Sequence, residues 1–479
     1  MQGVEVSGEA LRKLGSRRGW LAAAVAVLCL LGFCLVQAGV NAPLTGAWRE
    51  AALGDTPASV MDAFRRGTMA AFDPSLLQRF PRTARGSWVV LQPDAADAGE
   101  ERVLSIYPAP LGSITLYDQQ GGARTLAMDD FDGPFHGHGR LAFRLVGEAG
   151  MSQPILLKFE PSGTLAAPER FELQNLDDFL LEDSTWLAFA SASFAIMVAM
   201  ALMALCFAIM LRDMTFAWYT GYMLCYVLVQ GVETGFLFHP LGLSWLSGSG
   251  VLVAASAVAL SVSFASLFVV RFCDIQRYAP PLRVPVVALG FAMPLIVVMR
   301  CSGISALVLM AQVLINPLLI LGAVLLLFAA LLAGARGSRQ AWFFLTGWTP
   351  LLVLTAMTSA QTTGALRGLD WLNDASIGMG AFEAIVLSLG LADRALTMRR
   401  DRDNVRVLAD RDALTDIFNR RAWTEAANRM LSDANGTERS IALLFLDLDH
   451  FKQLNDLQGH AAGDRALVAV ADVLRSELR

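Results

Sequence analysis

The chain has 479 residues, 55% hydrophobic and 17% charged, with a net charge of −5, whereas ordinary soluble domains carry about 25% charged side chains. Only 16 of its charged residues fall among the 214 positions from 185 to 398, which excludes a single water-soluble globule and leaves a membrane block with polar flanks. The acidic balance excludes a nucleic-acid binder, which needs a basic face, and six cysteines that all lie in or beside apolar segments exclude a disulfide framework or a CxxC metal site.

Arg12, Lys13, Arg17 and Arg18 precede an apolar run from Trp20 to Val36, and Val36-Gln37-Ala38 offers a small-residue cleavage site. This layout makes residues 1–40 a cleaved secretory signal or, failing cleavage, an anchor. Residues 41–184 are polar again, with short alternating runs at 88–91, 103–107, 113–117, 141–145 and 155–159. Period-two patterning, broken by clusters such as Gln120-Gly121-Gly122 and Asp132-Gly133-Pro134, predicts an exported all-β sandwich. His136-Gly137-His138 reads as a glycine-rich turn rather than a metal pair, because no further His or Cys lies in this segment.

Residues 185–211 contain no charge and are long enough to cross the hydrocarbon core. Six further runs, at 216–238, 251–270, 284–299, 304–332, 341–359 and 377–395, complete a predicted seven-helix transmembrane bundle over 185–395. If the first span enters the cytosol, the inner loops hold Arg212, Arg271, Arg277, Arg283, Arg336 and Arg339, against Arg300 and Arg367 outside. Arg394, Arg399, Arg400 and Arg402 continue the bias, so the sandwich is placed outside and the C-terminus in the cytoplasm of a multi-pass bacterial inner-membrane protein.

Glu383 lies well inside the last span, where a carboxylate is costly and functional by default. The alternative is a protonated or hydrogen-bonded carboxyl that fixes helix packing. Both readings stand, and Glu383 is a candidate signalling residue. With no embedded Lys, an ion or proton pathway is disfavoured, and with it a transporter.

An exported sandwich, seven spans and a last span reading Glu383-Ala-Ile-Val-Leu-Ser-Leu-Gly-Leu-Ala-Asp-Arg394 resemble the bacterial seven-transmembrane receptors with diverse intracellular signalling modules. The resemblance implies signal reception through the exported domain, with an unknown periplasmic small molecule, such as a carbohydrate, as ligand, and membrane lipid around the bundle. Beyond it, Leu391, Ala395, Met398, Val405 and Ala409 recur at alternating spacings of three and four, interrupted by Arg402. Residues 396–411 are therefore predicted as a helical signalling linker, able to pair as a short coiled coil or to stand as a single solvated helix.

In residues 412–479 the segment from Asp412 to Arg421 opens a helix, and 440–447 reads as a buried strand ending in Asp447-Leu448-Asp449. A carboxylate at a strand end suits a hard divalent cation, while exposed helix N–H groups and Lys452 suit phosphate. Asn455 and Asp464 offer an amide and a carboxylate that together read a guanine edge. The pattern D-x-L-T-x-x-x-N-R-R, then D-L-D-x-F-K-x-x-N-D-x-x-G-H-x-x-G-D, resembles the GGDEF domain of diguanylate cyclases over 410–479.

The resemblance implies a partial α/β, ferredoxin-like domain and a homodimer that joins two GTP into cyclic di-GMP. It implies that Asp447 ligates Mg2+ (or Mn2+) by its side chain and Leu448 by its carbonyl. Phe451 and Lys452 would hold the triphosphate, Lys452 being the catalytic residue that stabilises charge in the transition state. Asn455, His460 and Asp464 would bind the base and ribose region, and Asp449 would cap a helix start. The name-giving GG(D/E)EF turn is not among the 479 residues. The expectation is a full-length sensory cyclase, with this chain by itself inactive and poorly folded beyond about residue 440 for want of a complete sheet. The alternative is a receptor with a degenerate, non-catalytic nucleotide-binding domain that regulates a partner.

Overall fold

The computed structural model describes residues 43–81, 85–93, 101–107, 112–117, 122–131, 135–145, 153–161, 168–362, 371–434 and 441–477. The export segment 1–40 and the clusters Gln120-Gly121 and Asp132-Gly133-Pro134 lie outside them. The described residues divide into two units, 1–391 and 392–479.

The first unit begins with two antiparallel sheets. One has the order β2-β1-β4-β9-β6-β7, from β1 (Leu44–Glu50), β2 (Ala70–Phe72), β4 (Ser87–Pro93), β6 (Ile114–Tyr117), β7 (Ala123–Leu126) and β9 (Ile155–Phe159). The other has the order β3-β10-β5-β8, from β3 (Gln78–Arg79), β5 (Arg102–Tyr107), β8 (Leu141–Leu145) and β10 (Pro168–Asn175). All five alternating runs of the sequence are strands. Val89, Leu91, Leu116 and Leu157 of the first sheet and Leu104, Ile106, Phe143, Phe171 and Leu173 of the second share one apolar cluster with Phe80. A large apolar side chain buried in this way contributes about 1.5–3 kcal/mol. The opposite face of the first sheet, with Ala47, Trp88, Val90 and Leu156, is covered by Val60 and Ala63 of α1 (Pro57–Arg65). That helix starts at a Thr56–Ser59 capping box, in which two backbone donors left over at a helix start are satisfied reciprocally.

The second sheet has a polar outer face. Arg170 stands opposite Tyr107, and Glu172 opposite Ser105, on adjacent strands. Alternation alone would give this face to water. It is instead buried, because α2 (Leu176–Leu211) leaves β10 directly and starts before the charge-free run, with Phe179 packed on Val103 and Ala142. Asp177 and Asp178 occupy the first turn of α2, where the helix dipole favours acids.

The remaining long helices of this unit are α3 (Met214–Glu233), α4 (Gly250–Phe272), α6 (Pro280–Cys301), α7 (Ser305–Ala335), α8 (Arg339–Thr362) and α9 (Leu372–Ala409), with the single turn α5 (Ile275–Tyr278) between α4 and α6. Six helices among the described residues, α2, α4, α6, α7, α8 and α9, are long and apolar enough to cross a membrane. The run at 216–238 forms α3, which ends at Glu233 and falls outside that set, its apolar residues interleaved with Trp218, Tyr219, Thr220, Tyr222 and Tyr226. Pro285 and Pro294 lie within α6, Pro317 within α7 and Pro350 within α8. The last span and the linker form one 38-residue helix, α9, without an internal proline.

In the second unit, α10 (Arg420–Ala434), α11 (Phe451–Gln458) and α12 (His460–Glu477) follow the end of α9. The strand expected at 440–447 is absent from the described residues 441–447, where Leu443, Leu444, Phe445 and Leu446 are all more than half exposed. A strand exists only against a partner, and among the described residues none pairs with this segment, so the expected α/β character of residues 412–479 is reduced here to helices and one isolated bridge, Arg411 to Phe418.

Candidate functional site

The acidic motif of the C-terminal unit begins with a tight turn. Asp412 accepts hydrogen bonds from the Leu414 and Thr415 amides at 3.2 and 3.0 Å and from the Thr415 hydroxyl at 2.8 Å. These bonds stabilise its anionic form and hold its carboxyl below the usual range. The helix does not open at Asp412. It opens at Arg420, where Asn419 accepts from the Ala422 amide at 3.1 Å. Arg421 pairs with Asp410 at 3.0 Å, and Arg475 of α12 donates to the Thr415 carbonyl at 2.9 Å. Asp412, Thr415, Asn419 and Arg421 thus hold the turn together.

Asp447 is exposed, and one carboxylate oxygen accepts from the Leu448 amide at 3.0 Å. The Leu448 carbonyl accepts from Phe451 at 3.3 Å. The residue preceding α11 is His450, in the left-handed region at φ 59°, and no side chain caps the helix, so Asp449 does not have the cap role expected of it. Phe451 and Lys452 form the first turn of α11, with Lys452 exposed. Gly459, at φ 79°, turns the chain into α12, a conformation glycine adopts without cost. His460 and Asp464 lie one turn apart at the exposed start of α12. Asn455 presses on the backbone of Gly463, where a Cβ would collide with its amide oxygen. Asn455, Gly463 and Asp464 therefore come together at the α11–α12 corner, while among the described residues no hydrogen bond or ion pair joins Asp447, Lys452 and His460.

The donor set at 447–448 is one carboxylate and one carbonyl. Both are hard oxygen donors of the kind Mg2+ takes, and Mg2+ is normally bound through one or two carboxylates with waters and substrate phosphates completing its shell. The chemistry fits, although no group of three metal-ligating side chains occurs among the described residues.

Glu383 is fully buried in α9. Its carboxylate accepts from the Tyr222 hydroxyl of α3 at 2.7 Å, and that hydroxyl accepts from the Trp348 indole of α8 at 3.1 Å. Gly347 of α8 lies beside Glu383, where an added Cβ would meet it at ordinary contact distance. Glu383 is thus hydrogen-bonded between three helices, a geometry of the packing alternative that leaves its signalling role as a proposal.

Sequence reasoning missed two groups. His138 Nδ1 lies 2.6 Å from the Asp183 carboxylate of α2, and His136 stacks on His239 at 4.1 Å between ring centres. His239 follows α3 and was invisible to a search of the exported segment alone. The second group is Tyr107, Arg140, Arg170 and Asp374, whose only signal was charge on alternate positions of β10 and one acid at the edge of the last span.

Residues 187–394 match the family model of 7TM diverse intracellular signalling, and residues 409–479 that of the diguanylate cyclase GGDEF domain. A probable diguanylate cyclase, DgcC, of Escherichia coli (strain K12) is 28% identical over 163 residues, covering 33% of this chain and 42% of that protein. Diguanylate cyclase TpbB of Pseudomonas aeruginosa is 45% identical over 71 residues, 15% of this chain and 16% of the relative. Cyclic di-GMP phosphodiesterase NbdA of the same species is 41% identical over 76 residues, 16% of this chain and 10% of the relative. The chain thus spans less than half the length of each of these relatives. It carries a seven-transmembrane diverse-intracellular-signalling region followed by GGDEF-domain sequence with diguanylate cyclases among its homologues.

Proposed function

We propose that the protein is a membrane-bound sensory diguanylate cyclase that joins two GTP into cyclic di-GMP. The observation that carries this reading is the corner at Gly459, where a phosphate-suited helix start bearing Lys452 and an Asn455–Gly463–Asp464 cluster follow the Asp447–Leu448 donors within a few residues.

In this reading α3 is the seventh span. Its 20 residues rise about 30 Å, enough to cross the hydrocarbon. The two sheets form an exported sandwich that receives a small molecule. Hydrogen bonds between the turn after β7 and the loop after α3, each 2.8 Å, support a place for the sheets on the side poor in arginine, and with it an inner-membrane placement with the C-terminus inside. Residues 41–184, 185–395, 396–411 and 412–479 are then sensor, bundle, linker and output.

Asp447 and the Leu448 carbonyl hold Mg2+ or Mn2+. The bound cation offsets phosphate charge as a Lewis acid. The α11 N–H groups with Phe451 and Lys452 seat the triphosphate, and Lys452 neutralises the charge that grows on the phosphate oxygens. Asn455, His460 and Asp464 orient the guanosine. In a homodimer each GTP presents its 3′-hydroxyl to the α-phosphate of the other. Two phosphodiester bonds form and two pyrophosphates leave. Such chemistry is mostly positioning, so dimer geometry alone can switch it.

Titration of the detergent-solubilised chain with GTP and ATP in Mg2+ tests the site, followed by assay of cyclic di-GMP. Asp447→Ala and Lys452→Ala are each expected to weaken GTP binding about tenfold or more, from loss of charge-assisted contacts of about 1.5–3 kcal/mol. GTP binding unchanged in both variants refutes the assigned site. These 479 residues, which lack the GG(D/E)EF turn, are expected to bind GTP without product; specific binding without product in a protein that also carries that turn assigns it to the non-catalytic regulatory alternative.

A further inference from the structure

After β7 the chain leaves its sheet and packs on the loop that follows α3. Met128 shares an apolar cluster with Val232, Leu237, Phe238 and Leu246, and the Asp129 carboxylate accepts from the Gly248 amide at 2.8 Å. Gly235, at φ 75°, lies so close to Met128 that an added Cβ would stand 2.7 Å from its sulfur. The β-rich region and this loop are thus held against each other, and a cavity opens where their contact is incomplete.

Its walls come from both parts: Met128, Phe135, His136 and Arg140 on one side, Gly235 and His239 on the other. The empty space is about 360 Å³ with its open mouth counted, and the enclosed part holds about one or two water molecules. A ligand seated there has only a few heavy atoms. A concave site with a small number of convergent polar groups is the usual form of a ligand pocket.

The polar lining consists of donors, and no acid is among the lining residues. Arg140 is 5% exposed. Its Nη1 meets Glu182 of α2 at 3.1 Å, but its Nε is buried with no hydrogen-bond partner, and a buried donor left unpaired is costly. Glu182 leaves Nε available, so its pair with Arg140 need not break when Nε finds an acceptor. His136 stacks on His239 with the ring planes 14° apart, and among the described residues nothing hydrogen-bonds its ring nitrogens. His239 is already committed through Nε2, which donates to the Asp130 carbonyl at 2.8 Å. Parallel rings do not converge their nitrogens on one ion, and no cluster of three metal-ligating side chains occurs among the described residues. Unpaired donors without an acid, beside the apolar Met128 and Phe135, suit a carboxylate with a short aliphatic tail.

We propose that this cavity binds a small aliphatic monocarboxylate of acetate or propionate size, whose carboxylate takes the Arg140 Nε–H and a ring N–H of His136 and whose presence clamps the segment between β7 and β8 onto the loop after α3. The site deepens the sensory half of the proposed function and rests on that reading for its purpose. Binding is measured without nucleotide, so failure of the site and failure of the cyclase reading are told apart.

The experiment is thermal unfolding of the detergent-solubilised full chain, titrated with sodium acetate at an ionic strength held constant with sodium chloride. A ligand of the folded state raises the melting temperature in a concentration-dependent way. Acetate and propionate are expected to raise it, and chloride alone and acetamide, the neutral counterpart of acetate, to leave it unchanged. His136→Phe keeps the ring on His239 but removes both nitrogens, and Arg140→Lys keeps a cation for Glu182 but removes Nε–H. Each is expected to weaken the acetate response about tenfold or more, from loss of a charge-assisted hydrogen bond, while Asp62→Ala, in the exposed pair with Arg65, retains it. Hydrogen–deuterium exchange with acetate is expected to slow about twofold or more at 126–128, 135–142 and 234–239. An equal rise with acetamide or chloride, an undiminished acetate response in His136→Phe, or protection confined to other residues overturns the site. If Arg140→Lys fails to accumulate, His136→Phe decides alone.

Discussion

Gly139→Ala separates backbone strain from ring displacement at the junction of the β-rich region and the helices. Gly139 has φ 73°, and an added Cβ would lie within 3 Å of the Trp186 ring. The left-handed backbone costs an alanine about 1–2 kcal/mol. The ring cannot give way freely, because its indole N–H is bonded to the part-buried Asp374 at 2.8 Å. Loss of a hydrogen bond to a charged group adds about 1.5–3 kcal/mol, for a total of about 3–5 kcal/mol. Gly54→Ala is the matched reference, with φ 84° and nothing within 4 Å of the added atom, so it carries the backbone cost alone. Thermal unfolding followed by tryptophan fluorescence in one detergent compares the two. Gly139→Ala is expected to melt lower than Gly54→Ala by roughly 3–12 °C, at about 2–4 °C per kcal/mol. Equal melting temperatures would refute the reasoning, since they would mean that Trp186 moves without cost.

Gly463→Ala is a contrasting case, because the colliding atom is the end of the flexible Asn455 side chain. Stability is expected to change by less than about 1 kcal/mol, while GTP binding by the solubilised chain falls as Asn455 swings out; unchanged binding removes Asn455 from the site. Tyr222→Phe deletes the donor to Glu383 and is expected to cost about 0.6–1.7 kcal/mol, the scale of interhelical hydrogen bonds in membranes, measured by urea unfolding in mixed micelles. Burial, helped by the neighbouring His136 and His138, lowers the pKa of His239, with the Asp130 carbonyl and charge opposing. The unfolded chain then binds more protons than the folded one as pH falls through about 6.5, so stability declines on acidification. His239→Gln is expected to flatten the melting temperature between pH 7 and 5.5, and an unaltered slope would assign the acid sensitivity to other groups.

The five strands legible in the sequence share a feature: each has a run of apolar residues long enough to show against its turns. β10 does not. Its Arg170-Phe171-Glu172-Leu173-Gln174 alternation places only two apolar residues in the core, and its polar positions face inward onto α2 instead of outward to water. Residues 441–446 fail in the opposite sense, with every apolar sign of a strand and no partner strand among the described residues. Strand identity is a property of pairs, and a local run cannot report whether its partner is present. The approach of Asn455 to Gly463 is local, the two lying on either side of the turn at Gly459.

The buried polar contacts of the first unit join residues 161 and 188 positions apart, Tyr222 with Glu383 and Trp186 with Asp374. Periodicities of two and three to four residues carry no information at that range. Glu383 stood out because an acid in an apolar run is anomalous, whereas its partners Tyr222 and Trp348 are ordinary residues for a span. Asp374 was hidden for the converse reason: an acid at the edge of a span reads as an interfacial residue, and only the inward turn of the β10 polar face reveals that its surroundings are protein. The anomaly in the sequence was therefore the strand, not the acid. Arg170 and Glu172 on that strand pair with each other, while Glu182 of the first long helix takes Arg140 and Gln174, and Asp374 of the last takes the Trp186 indole.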